Sequence, residues 1–91
     1  MSETQDNRLK RLKMRSWRRG TKEMDLILGP WSDAHLASLD PATLDLYEVL
    51  LDENDQDLYP WITGQSAAPE RLAPLLDRIG VFARDRLRAR P

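Results

Sequence analysis

Apolar residues recur along this chain at helical spacing, and no segment shows the period-two alternation of a strand. Between Asn7 and Arg19, Leu9, Leu12 and Trp17 lie at i, i+3 and i+8, on one side of a helix, with Arg8, Lys10, Arg11, Lys13, Arg15 and Arg18 mostly elsewhere. Asp6 or Asn7 is placed to cap its start. Met14 falls off the stripe, which predicts a partly exposed or partner-facing side chain. A second stripe, Met24, Ile27, Leu28, Trp31 and His35, is interrupted only by Gly29-Pro30. A proline in a helix interior costs about 3 kcal/mol unless the bend is accommodated. The unbroken stripe favours a kinked but continuous helix reaching about Ser38.

Asp40-Pro41 reads as a helix start, with Asp40 as cap and Pro41 in the first helical position, where its missing N–H costs nothing. The helix is predicted over Pro41 to about Leu51, burying Leu44, Tyr47, Leu50 and Leu51. The acidic run Asp52 to Asp57 repels itself and reads as a loop feeding a short helix from about Leu58 to Thr63, which Gly64 closes. After a small linker, Leu72, Leu75, Leu76, Ile79, Phe82, Ala83 and Leu87 form the apolar face of a fifth helix, open to bending at Pro74. The expectation is an all-α, compact five-helix bundle in one domain over residues 8–87. A flexible segment at 1–7 precedes it, and a frayed basic tail at 88–91 follows.

Charge adds what hydropathy does not show. From Arg8 to Lys22 there are eight Lys or Arg and no acid; from Glu23 to Glu70 there are eleven Asp or Glu and no Lys or Arg. The sign turns at Gly20, a residue able to take the positive φ that other residues avoid. Glu23 then falls in the first turn of the next helix, where the helix dipole favours a carboxylate.

At 91 residues the chain buries roughly 60 to 65 per cent of its extended surface, which leaves little room for a deep active site and favours a protein that acts through its surface. With no cysteine and a single histidine, His35, neither thiolate chemistry nor a multi-histidine metal site is available. No apolar run approaches the roughly 20 residues of a membrane span, and Met1 to Asn7 is polar. These features lead to the expectation of a soluble protein without a signal or transit peptide, in bacterial cytoplasm, monomeric when free. No nucleophile and base constellation, phosphate-cradling glycine loop or metal-ligand cluster is visible, so an autonomous enzyme is not expected.

Arg19 and Glu23 read either as a functional pair or as a helix-end salt bridge worth a few tenths of a kcal/mol. Trp61, with Tyr59 beside Asp55 and Asp57, reads either as a partner-binding anchor or as core, and core is favoured in so small a domain. The basic helix also suits nucleic-acid phosphates, or a small antitoxin-like regulator, although the acidic middle opposes the wrapping of a long polyanion.

Three stretches together resemble the succinate dehydrogenase flavinylation factors: Arg19-Gly20-x-x-Glu23 after a basic helix, its continuation Glu23-Met24-Asp25 into an apolar helix, and Asp55-Gln56-Asp57-Leu58-Tyr59-Pro60-Trp61. The resemblance runs from about Arg8 to about Arg86. It implies a small helical assembly factor that docks on the flavoprotein subunit of succinate dehydrogenase, and by extension of fumarate reductase, and promotes covalent FAD attachment there. It further implies that Arg19, Gly20 and Glu23 form the surface concerned, and that this surface aligns the flavin 8-methyl carbon with the acceptor histidine. Arg15, Arg18 and Trp61 join them as candidate partner contacts. No cofactor held stably by the chain itself is expected, and no nucleic acid.

Overall fold

The computed structural model describes residues 3–89, with side chains as far as Arg86. Five α-helices follow one another: α1 (Gln5–Trp17), α2 (Lys22–His35), α3 (Pro41–Leu51), α4 (Asp55–Thr63) and α5 (Ala73–Ala89), with a 3-10 turn at Leu36–Ser38. There is no strand among the described residues. The place expected for Leu87 on the apolar face and the fray expected at 88–91 lie outside the described side chains.

Local chemistry accounts for most of the boundaries. Thr4, rather than Asp6 or Asn7, caps α1: its hydroxyl oxygen accepts from the Asn7 N–H at 3.1 Å, which places Asp6 in the first turn. Asp40 caps α3 as expected, accepting from the Thr43 N–H at 3.2 Å. α2 runs unbroken through Pro30 and then tightens into the 3-10 turn. The hydrogen bond forfeited at Pro30 is to the carbonyl of Leu26, whose side chain is 53% exposed, so the loss falls on the outer side of the helix. On its inner side Leu28 and Trp31 are fully buried. The fourth helix starts at Asp55, three residues before the expected Leu58. The acids read as a self-repelling loop instead place Asp55 and Asp57 in the first turn of α4, where the helix dipole favours them. Gly64, at φ 82°, ends α4, and Pro74 sits in the first turn of α5, where it costs little.

The core takes residues from every helix, among them Leu12, Met24, Leu28, Trp31, Leu44, Tyr47, Leu50, Leu58, Leu76 and Ile79. Each buried aliphatic side chain contributes about 1.5 to 3 kcal/mol. Trp31 and Tyr47 stack with centroids 5.1 Å apart, and His35 packs between Trp31 and the edge of Phe82, at 5.4 and 5.3 Å. Trp17 differs from its expected place in the α1 stripe. It is 40% exposed, and its indole lies across Gly29, where an added Cβ would stand 2.3 Å from the ring. That close approach is what a glycine at position 29 allows.

Ser16, fully buried, donates to the Leu12 carbonyl at 2.8 Å and shares a 2.5 Å hydrogen bond with the Tyr47 hydroxyl. Burial pushes the Tyr47 phenol up to about 12. A phenol whose folded pKa stands above its unfolded value of about 10 contributes stability below that value and loses it as pH rises toward 12, because the unfolded chain releases its proton first. Stability is expected to fall between pH 10 and 12 by up to about 1.4 kcal/mol per unit from this group. Denaturant melts across that range should show a shallower decline in Tyr47→Phe.

Along the other side of α1, Arg8 reaches Asp45 and Glu48 at 2.8 and 2.9 Å, and Arg11 reaches Glu3 and Glu48 at 2.9 Å. Burial alone would raise the Glu48 carboxyl, but the hydrogen bonds from Arg8 and Arg11 hold it below its ordinary value.

Candidate functional site

The turn between α1 and α2 is built by one residue pointing inward and one glycine. α1 closes at Arg18, whose N–H reaches back to the Arg15 carbonyl. Arg19 then turns its side chain into the protein. Its Nε donates to Asp55 Oδ1 at 2.9 Å, one Nη donates to the Leu51 carbonyl at 2.5 Å and the other to the Glu53 carbonyl at 2.6 Å. The guanidinium side chain is only 10% exposed and the Asp55 side chain 15%. It therefore ties the last turn of α3, the intervening loop and the first turn of α4 to the α1–α2 turn. A planar fork of five donors suits three acceptors in different directions; a lysine ammonium does not. From the other side Asp25 accepts the Arg19 backbone N–H at 2.6 Å, and the Thr21 hydroxyl caps α2 by accepting from the Met24 N–H at 3.4 Å.

Gly20 takes φ 107°, as expected of a residue at the sign change, and a Cβ added there would meet nothing within 4 Å. The demand for glycine is thus conformational and not steric. Gly20→Val is expected to cost about 1 to 2 kcal/mol through backbone strain alone, read as a lower thermal midpoint. A Val variant as stable as the parent would show that the turn relaxes to negative φ.

The expected pairing of Arg19 with Glu23 does not form. Arg19 is engaged beneath the turn, whereas Glu23 is exposed in the first turn of α2, with no hydrogen bond or ion pair among the described residues. α1 ends at Trp17 and α2 begins only at Lys22, so positions 19 and 23 share no helical register. Of the other candidates, Arg15 pairs with Asp52 at 2.8 Å, Arg18 is exposed without an ion pair among the described residues, and Trp61 is half-buried against the core.

Two depressions meet at Glu23. One is lined by Thr21, Glu23, Met24, Asp55, Gln56 and Tyr59, and so includes the carboxylate that Arg19 holds. The other, of about 270 Å³, is lined by Glu23, Leu26, Ile27, Tyr59, Phe82 and Arg86. Tyr59 is 39% exposed and Leu26 53%. Trp61, for which the sequence favours core over a partner anchor, packs half-buried against the core, whereas Tyr59 is exposed, and Leu26 was passed over in the sequence. The available signal was that Leu26, like the 54% exposed Met14, is a large apolar residue off its helix's buried stripe. Among the described residues there is no group of carboxylates and histidines able to hold a metal ion, and no helix is long and apolar enough to cross a membrane.

Comparison with known proteins places the chain in a family. The family model described as flavinator of succinate dehydrogenase matches residues 10–83. Relatives include the mitochondrial succinate dehydrogenase assembly factor 2 of Meyerozyma guilliermondii, 44% identical over 67% of this chain and 45% of its own. That of Mycosarcoma maydis is 35% identical over 87% and 33%, and that of Schizosaccharomyces pombe 39% identical over 76% and 50%. The chain spans half or less of the length of these relatives. The expectation of bacterial cytoplasm is overturned by them, since all three are fungal and named as mitochondrial; a polar amino terminus and the lack of a long apolar run do not specify a compartment. The family match takes in the Arg19 clamp, the Gly20 turn, Glu23 and all but the ends of the helical fold, and on that basis the chain belongs to the family of succinate dehydrogenase flavinators.

Proposed function

We propose that this chain docks on the flavoprotein subunit of succinate dehydrogenase and promotes covalent attachment of FAD to it, the chemistry taking place on that subunit. The observation that carries this reading is the Glu23 carboxylate, exposed and without an internal partner beside Tyr59 and Leu26, on a turn that Arg19 locks from beneath, in a chain of the flavinator family. A carboxylate already committed to an internal ion pair would have little to offer a partner; one held on a rigid turn is available at no ordering cost beyond its own rotamers.

The contribution of the chain is positional. Holding the subunit so that the flavin 8-methyl carbon meets the acceptor histidine lowers the barrier by orientation alone. The flavin stays with the subunit, this chain is not itself an enzyme, and the same docking extends to the flavoprotein subunit of fumarate reductase. Arg8, Arg11, Arg15 and Arg19 are neutralised by the chain's own carboxylates. Half of the basic run is thereby withdrawn from phosphate binding, which favours a protein partner over nucleic acid.

The test is to produce the flavoprotein subunit with and without this chain in a host that lacks a flavinator. Co-purification is recorded, and covalent flavin is read by fluorescence of the denatured subunit. Co-purification and a rise in covalent flavin are expected; equal flavin in both preparations would overturn the reading.

A further inference from the structure

The groove beside Glu23 has a composition of its own. Its floor is Ile27 and Phe82, its walls are the exposed side chains of Leu26 and Tyr59, and it carries one charge of each sign, Glu23 and Arg86. Glu23 lies where this groove meets the neighbouring depression, whereas Arg86 lines the groove alone. Arg86 lies over the Phe82 ring, 5.8 Å from its centroid, and makes no ion pair among the described residues. Both charges are thus unneutralised within the described protein, while the apolar surface between them, contributed by α2, α4 and α5, remains open.

Resting on the function proposed above, we infer that this groove receives a short segment of the flavoprotein subunit in which an apolar side chain stands between a basic residue, taken by Glu23, and an acidic residue, taken by Arg86. The apolar side chain displaces water from Leu26, Tyr59 and Phe82, and the two charges set the direction in which the segment lies. An aromatic and an arginine at the edge of an apolar cleft are the residue types that dominate binding energy at protein interfaces. Opposite charges at separate points reject a reversed segment, since each would then face its own sign. The flavin is a poorer occupant. The Glu23 carboxylate opposes its diphosphate, and no glycine-rich loop is present to cradle phosphate.

The experiment measures binding of the FAD-loaded, not yet covalently modified flavoprotein subunit to the full chain, to Leu26→Ser, to Arg86→Glu and to Arg71→Glu, an exposed position outside the groove. Thermal unfolding is recorded for each. Leu26 and Arg86 are exposed, so all four proteins should melt alike. Leu26→Ser and Arg86→Glu are each expected to weaken binding about tenfold or more, with Arg71→Glu like the parent. Raising salt should narrow the gap for Arg86→Glu and not for Leu26→Ser. If the parent binds and both groove variants bind equally well, the groove assignment is overturned and the proposed function stands. If the parent itself does not bind, both fall. Free FAD bound by the chain without the subunit, and lost in Arg86→Glu, would assign the groove to the flavin and overturn the inference.

Discussion

Arg19→Ala is expected to destabilise the fold by about 3 kcal/mol or more, and to lower flavinylation only in step with the folded fraction. Removing the guanidinium leaves the Asp55 carboxylate, 15% exposed, without its cation, and leaves the Leu51 and Glu53 carbonyls without their donors. Loss of one partner from a mostly buried ion pair is costly because the remaining charge is left desolvated and unpaired. The cost falls where α1, α3 and α4 are held together, so local compensation is limited. Arg19→Lys should recover only part of the loss, since one ammonium cannot meet three acceptors set apart around a planar fork. Urea melts of the three proteins decide the matter. If Arg19→Ala melts like the parent but abolishes covalent flavin, the guanidinium must leave its internal site on docking, and its role is contact rather than support.

Glu23→Ala is expected to do the reverse, lowering covalent flavin on the partner subunit about tenfold or more while changing stability by at most about 1 kcal/mol. The carboxylate is exposed and makes no internal hydrogen bond or ion pair among the described residues, so its contribution to folding is confined to the dipole at the start of α2. At an interface the same charge becomes desolvated, and a desolvated charged contact is worth several times an exposed one. Glu70→Ala, exposed and outside the site, is the control. Thermal unfolding and flavin fluorescence of the subunit are compared for all three proteins. Normal flavinylation with Glu23→Ala would remove Glu23 from the site. Parallel loss of folding and flavinylation would instead give it a structural role.

Together the two substitutions divide a motif that a linear reading treats as a unit. Arg19 and Glu23 are four residues apart, the spacing of neighbours on a helix surface. The chain leaves helical geometry between Trp17 and Lys22, with Gly20 at φ 107°, so that Arg19 turns inward while Glu23 stays exposed. One builds the platform and the other stands on it.

The sequence by itself determined whatever depends on near neighbours. The 3.6-residue periods set five helices and nearly all of the core, including Leu44, Tyr47, Leu50 and Leu51 of α3. Asp40-Pro41 marked a helix start, Gly64 a helix end and Gly20 a left-handed backbone, each through chemistry contained within a few residues. The abrupt sign change at Gly20 marked the turn between α1 and α2. Tertiary structure alone decided which charges are cancelled and which apolar residues stay outside. Arg19 meets Asp55, Arg15 meets Asp52 and Arg8 meets Glu48 across more than thirty residues of chain. The same packing exposes Tyr59, half-buries Trp61 two positions on, and opens a groove between α2 and α5 that neither helix has alone. The physical reason is range. Backbone preference and helical phase act over a few residues and are written in the local sequence, whereas charge pairing and burial depend on how helices distant in the chain are set against one another, and spacing along one strand of text does not carry that distance.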